Sequence, residues 1–368
     1  VSQREFYIDR LRVVMTVLVI LHHTAITYGA IGGWFWHELQ PSRTPSSILL
    51  VLFCTTNQAY FMGFFFLLAG YFTPASLDRK GYGRFILDRF IRLGIPTLAF
   101  ILVLGPLTAA IVTYAQGDGF WPTVAAIWHR KEVIVGPLWF AVALLSFSLW
   151  AVLIRRIAGP QPHGDATPQP APSPVPSWLG WFICALLVGA SALAIRQVFP
   201  IGESLYGYWA MYIFLFILGT RAKRLNWLAQ LTWKQARPWV ITALIAWPTL
   251  PLGWLLSKGA ANFNSGLSWA AFLYAFWEPF VAWGIIAAWL LLFREHVNTP
   301  SAKWDWLGRR AYAVYIIHPP VLVSIALILQ PWDAPALLKF AVVGTLACIA
   351  TWLLADPLVR LPAVRGVV

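Results

Sequence analysis

Ten stretches of the chain are each apolar over close to the length a helix needs to cross a bilayer, and this repetition constrains the fold more than any single residue. The hydrocarbon core is about 30 Å thick, so a spanning helix takes about 20 apolar residues at about 1.5 Å each. The stretches lie near residues 11–30, 48–72, 90–114, 137–155, 178–199, 205–220, 238–256, 268–292, 311–329 and 336–355, the sixth being the shortest. Lipid offers no water to unpaired backbone groups, so a span must close its hydrogen bonds internally, as a helix does. The expected fold is all-α: a polytopic membrane protein with ten transmembrane helices in one bundle. Composition excludes the soluble alternative, because only 11% of the residues are charged, against about 25% in a water-soluble domain.

The charges that remain are unevenly spread. The chain has 27 Lys+Arg against 14 Asp+Glu, a net charge of +13. In a membrane chain this reads as basic loops held on the cytoplasmic side rather than as affinity for nucleic acid, and no nucleic-acid partner is expected. With the loops taken alternately, 21 of the 27 basic residues share the side that holds both termini. The other side has six: Arg43, Arg130, Lys131, Arg196, Lys258 and Lys339. Both termini are therefore expected in the cytoplasm. Asp9, Arg10 and Arg12 precede the first apolar stretch and no small-residue cleavage site follows it, so it is expected to stay as a span.

Cys54, Cys184 and Cys348 lie inside apolar runs without metal-ligand or CxxC spacing, which implies neither disulfides nor a metal site. Residues 159–177 hold seven prolines, a density that excludes helix and sheet and suggests an extended cytoplasmic connector between the fourth and fifth spans. No internal repeat argues for a transporter built from paired halves. A single membrane domain over 1–368 is expected, with no additional C-terminal soluble domain.

Ionisable groups inside a span are costly and mark function by default. At about 100° per residue, Asp9, Arg12, Thr16, His23 and Thr27 fall within about 60° of one another on the first span. His22 and Arg10 point elsewhere, which favours His23 over its neighbour. His23 is roughly 17 Å along the helix from Arg12, near the middle of the membrane. Asn57, Gln58 and Glu278 reach a similar depth and His318 lies somewhat nearer the cytoplasm, so residues from four spans are candidates for one buried polar site. The plain alternative for each is a hydrogen bond between helices. The run 78–92 is the densest basic stretch beside a span, and Arg89 and Arg92, three apart, share a helical face. Guanidinium groups so placed suit a phosphate-rich ligand or, more simply, lipid headgroups.

These residues carry a resemblance. Tyr7-Ile8-Asp9-Arg10-Leu11-Arg12 leads to Leu21-His22-His23, with ten residues between Arg12 and His23. Phe64-Phe65-Phe66-Leu67-Leu68-Ala69-Gly70-Tyr71, Arg89-Phe90-Ile91-Arg92-Leu93-Gly94-Ile95-Pro96, Gly136-Pro137-Leu138-Trp139-Phe140, Trp277-Glu278 and Tyr315-Ile316-Ile317-His318-Pro319 follow in order. The chain resembles the integral-membrane acyltransferase family 3, whose members O-acylate sugars at the bacterial envelope. Ala69 stands where the family often has Ser, so no hydroxyl role is assigned there.

The resemblance implies a multi-pass protein of the bacterial inner membrane. It moves an acyl group, acetyl most often in the family, from cytoplasmic acyl-CoA to a carbohydrate hydroxyl, with no permanently bound cofactor. His23 would be the general base, suited by an ordinary imidazole pKa of about 6.5, or else an acyl carrier. Arg12 and Asp9 would organise the cytoplasmic entrance. Arg89, Arg92 and Arg84 would hold the donor, with Tyr315 and His318 lining its channel. Glu278, Trp139 and Asn57 would support His23 or the acceptor, and Trp34, Phe35 and Trp36 would offer rings to a sugar. A homo-oligomer or a biosynthetic partner protein stays open. The alternatives from other classes are a transporter or flippase and a scaffold whose polar residues only join helices.

Overall fold

The computed structural model describes residues 5–159, 174–201, 205–256 and 263–367, and among them the chain is helical with no strand. The helices in the amino-terminal part are α1 (Phe6–Thr27), α2 (Pro45–Arg89), α3 (Ile95–Ala99), α4 (Gly105–Ala115), α5 (Phe120–His129) and α6 (Trp139–Ile157). They continue as α7 (Trp178–Val198), α8 (Trp209–Arg224), α9 (Trp227–Gln230), α10 (Trp233–Ala246) and α11 (Thr249–Leu256). The last are α12 (Trp269–His296), α13 (Ala302–Ile328), α14 (Ala336–Leu358) and α15 (Pro362–Arg365). Several starts are written in the sequence: the side chains of Thr44, Ser177 and Ser268 accept from backbone N–H groups of the first turns of α2, α7 and α12. Of the proline-rich stretch, residues 160–173 lie outside the described residues.

Seven helical stretches among the described residues are long and apolar enough to cross a membrane. α1, α7, α12, α13, α14 and the stretch Gly136–Ile157 each correspond to one expected span. The expected second and third spans are arms of a single 71-residue helical stretch, Pro45–Ala115. It is interrupted at Gly81, with φ 70° and ψ 168°, a conformation that glycine reaches without a Cβ clash. The sixth and seventh expected spans are shorter than their apolar runs suggested: α8 has 16 residues, and the run 238–256 is divided between α10 and α11.

Prolines shape the arm after Gly81. Pro96 and Pro106 have no N–H for the carbonyls of Arg92 and Leu102 four residues earlier, and a π-helical turn precedes each, at Phe90–Gly94 and Phe100–Leu104. Both freed carbonyls receive a side-chain donor: Tyr312 Oη at 2.6 Å and Trp128 Nε1 at 2.9 Å.

Two compact units emerge. The first comprises Val1–Leu11, Thr56–Tyr82 and Trp150–Thr299. In it α12 packs on α7 and α10, while α8 approaches the α2 segment backbone to backbone. A Cβ on Gly70 would collide with the Phe216 carbonyl, and one on Gly219 with the Leu67 carbonyl, a close approach that small residues permit in membrane helices. The second unit comprises Arg12–Thr55, Gly83–Leu149 and Pro300–Val368. Its core joins α1, α13 and α14 through Ile20, Ala25, Val314, Leu322, Val343 and Ala347, all essentially buried.

Candidate active site

Within the second unit, α1 and α13 bring two histidines together. His23 Nδ1 lies 3.0 Å from His318 Nε2, with the rings nearly parallel. Proline explains the order of protons. Pro319 sits inside α13 and has no N–H for the Tyr315 carbonyl four residues back. That carbonyl instead accepts from His318 Nδ1 at 2.7 Å. A carbonyl cannot donate, so His318 carries a proton on Nδ1 and, when neutral, presents a bare Nε2. His23 Nδ1–H is then the donor across the 3.0 Å contact, which leaves His23 Nε2 with a free lone pair.

Tyr312, Tyr315 and His318 recur every third residue on α13 and so share one face. Tyr312 stacks on Tyr315 at 6.4 Å, and Tyr315 lies 6.1 Å from His318. Beyond His318 come His23, at 5.2 Å, and then Trp34, stacked on His23 at 3.9 Å and 9°. Tyr315 Oη donates to the Pro137 carbonyl, one residue pair before Trp139, while Phe140 meets the Tyr315 ring edge-on. A column of rings therefore runs from the Arg92 backbone, held by Tyr312, to the loop that carries Trp34.

Charge gathers at the Arg92 end. Arg12, Arg89 and Arg92 lie close enough for the charges of Arg12 and Arg92 to act on Arg89. Arg92 pairs with Asp88 at 3.1 Å in an exposed contact, which is worth little by itself. The Arg89 guanidinium lies over the Phe85 ring at 4.8 Å, and its Nε is buried without a hydrogen-bond partner among the described residues. Guanidinium groups in mutual reach repel one another until an anion joins them, and phosphate oxygens fit their planar fork. Arg84 is exposed on α2. On α1, the Thr16 and Thr27 hydroxyls donate to the carbonyls of Arg12 and His23, at 2.9 and 3.1 Å, so the polar stripe satisfies itself along the helix.

The remaining candidates lie in the first unit. Glu278 on α12 forms a buried ion pair with Arg196 of α7. The Arg196 guanidinium also lies over the rings of Tyr274 and Tyr208, at 4.9 and 5.6 Å, and its Nε donates to the Gly207 carbonyl at 3.1 Å. Asn57 is buried and accepts from Tyr60 Oη at 3.4 Å, while Gln58 donates to Tyr212 Oη at 2.8 Å. Asp9 precedes Arg10, whose guanidinium donates to the carbonyls of Val297 and Thr299 and so ties α1 to the end of α12. Among the described residues no group of three or more His, Cys, Asp and Glu is arranged to hold a metal ion.

A family model described as an acyltransferase domain matches residues 5–356, nearly the whole chain. The chain belongs to the acyltransferase 3 family. Among its relatives is the glucans biosynthesis protein C of Salmonella gallinarum (strain 287/91 / NCTC 13346), 24% identical over 92% of this chain and 88% of that protein. The proteins of the same name from Escherichia coli (strain K12) and Shigella dysenteriae serotype 1 (strain Sd197) are each 23% identical over 90% of this chain and 85% of their own length. No solved structure matches the chain.

Sequence reasoning about this acyltransferase missed three side chains. Arg196 and Lys339 had been counted as loop cations, but Arg196 is 0% exposed against Glu278 and Lys339 is 5% exposed against Glu38. Trp34 had been offered to a sugar ring, whereas one of its faces is taken by His23. Each partner lies on a distant segment, and no local pattern announced the pairing.

Proposed function

We propose that this membrane acyltransferase moves an acyl group from cytoplasmic acyl-CoA to a hydroxyl of an envelope carbohydrate, in the inner membrane, with acetyl the first donor to test. The observation that carries the reading is the His23–His318–Tyr315 chain, which leaves one imidazole lone pair on His23 Nε2 at the end of a ring column that starts beside three arginines.

In the proposed reaction, the donor's phosphates sit against Arg12, Arg89 and Arg92 and its pantetheine arm extends along the column toward His23. His23 Nε2 takes the proton of the acceptor hydroxyl as that oxygen attacks the thioester carbonyl carbon. The carbon–sulfur bond then breaks, and the leaving thiolate takes the proton back from the imidazolium, giving an ester and a free thiol. Stacked Trp34 favours the cationic form of His23 while it carries that proton. Glu278, Asn57 and Trp139 remain candidates for supporting the acceptor. The relatives' name makes a glucan the first acceptor to try.

The test uses purified protein in proteoliposomes with labelled acetyl-CoA and glucan oligomers. His23→Ala is expected to cut transfer by on the order of 10³-fold, and Arg89→Ala to raise the donor KM with a smaller effect on kcat. Transfer undiminished in a folded His23→Ala protein would remove the mechanism.

A further inference from the structure

Residues 28–39 form a closed loop on the C-terminal end of α1. Glu38 N and Leu39 N both donate to the Thr27 carbonyl, at 2.9 and 3.2 Å, and Tyr28 bridges to Leu39, so the two ends of the loop meet. Compact loops closed in this way are held by their own side chains and are often functional. This one stands one helical turn from His23, whose carbonyl accepts from Thr27 Oγ1.

The loop carries polar atoms that the acyl-transfer chemistry does not use. Trp34 gives a ring face to His23, but its Nε1–H is buried without a hydrogen-bond partner among the described residues, as are Trp36 Nε1, Tyr28 Oη and Glu38 Oε2. Glu38 is fixed in place: Lys339 Nζ donates to its Oε1 and, at 3.1 Å, to the Gln330 carbonyl. The Glu38 side chain is 10% exposed and that of Lys339 is 6% exposed. One carboxylate oxygen is thus tied down and the other is idle. Leaving so many buried groups unmet is costly, and a ligand that meets them recovers the loss.

The chemistry of the set defines that ligand. Two indole N–H donors and a carboxylate acceptor, set in aromatic surface, complement a molecule whose groups both donate and accept, as sugar hydroxyls do. Lys339 is the cation of this group and is committed to Glu38, so the pair offers no net positive charge to an acidic sugar. We propose that the 28–39 loop is the acceptor subsite and selects an uncharged saccharide. Glu38 Oε2 accepts from one sugar hydroxyl, the Trp34 and Trp36 indoles donate to others, and the reacting hydroxyl faces His23 Nε2. Only that last placement rests on the acyl-transfer reading.

Binding to the full-length protein in detergent, without acyl-CoA, tests the assignment. The probes are fluorescent neutral glucose oligomers, N-acetylhexosamine oligomers and uronic-acid oligomers. A neutral oligomer is expected to bind, a uronic-acid oligomer to bind more weakly, and Glu38→Gln and Trp36→Phe each to raise the Kd by about 10-fold. Glu38→Gln leaves Lys339 without its counter-ion and risks the fold. Trp36→Phe keeps the ring and removes only the N–H, so a folded Trp36→Phe protein that binds like the wild type overturns the proposal. Equal or tighter binding of the uronic-acid oligomers overturns it too, as does failure of every oligomer to bind. Loop-dependent binding in a protein without transfer activity would remove the acyl-transfer reading and keep the subsite. Transfer with an acceptor KM untouched by Trp36→Phe would do the reverse.

Discussion

The proton on His318 Nδ1 is the smallest feature on which the site depends, and its position follows from a carbonyl that cannot donate. His318 acts through His23 in this arrangement, as a positioning residue that holds the Nδ1–H and turns Nε2 toward the reaction. His318→Phe keeps the ring column and deletes both nitrogens, so kcat should fall by on the order of 100-fold with the donor KM unchanged. His318→Gln puts an amide oxygen near the lost Nε2 and should recover part of that kcat. Equal activity in both variants, measured by transfer kinetics at matched thermal stability, would show that His318 only fills space. At this scale the sequence was informative where a residue was out of place by itself: His23 and His318 are ionisable groups inside apolar runs, and Arg12 stands at a fixed spacing from one of them. It was silent where meaning depended on a distant partner. Arg196 finds Glu278 across 82 positions and Lys339 finds Glu38 across 301, and no periodicity carries that information.

Among the elements, proline is the common device. Pro96, Pro106 and Pro319 each free a carbonyl four residues back, and Tyr312, Trp128 and His318 fill those three acceptors. The helices were legible because hydropathy and caps are local properties, and α7, α13 and α14 lie close to where the apolar runs put them. The join across Gly81 and the division of α10 from α11 were not, because a glycine or proline inside an apolar run allows a break without requiring one. Pro319→Ala separates the functional role of such a break from its structural cost. An alanine restores the N–H and competes with His318 for the Tyr315 carbonyl, so kcat should drop by about 10-fold. Stability should hold or rise, since an interior helix proline costs about 3 kcal/mol. A lower Tm with unchanged kcat would mean that Pro319 serves the fold and has no part in fixing the tautomer.

At the scale of the whole molecule, the buried pairs sharpen the charge asymmetry. Of the six basic residues counted on the minority side, Arg196 and Lys339 are internal and neutralised by carboxylates, so only Arg43, Arg130, Lys131 and Lys258 remain as loop charges there, Lys258 lying outside the described residues. A positive-inside bias counts cations in loops, so removing two internal ones strengthens the assignment of both termini to the cytoplasm. Arg43 and Arg365 are exposed and stand on opposite sides in this topology. With Cys54, Cys184 and Cys348 replaced by alanine, Arg43→Cys should react with a membrane-impermeant thiol reagent in spheroplasts, and Arg365→Cys only after permeabilisation. The same topology makes transfer vectorial: in proteoliposomes of known orientation, donor supplied on the Arg365 side should acylate an acceptor held on the Arg43 side, and the reverse arrangement should not. Labelling of both cysteines before permeabilisation would break the even span count. It would also separate the arginine cluster at Arg12 and Arg89 from a cytoplasmic donor.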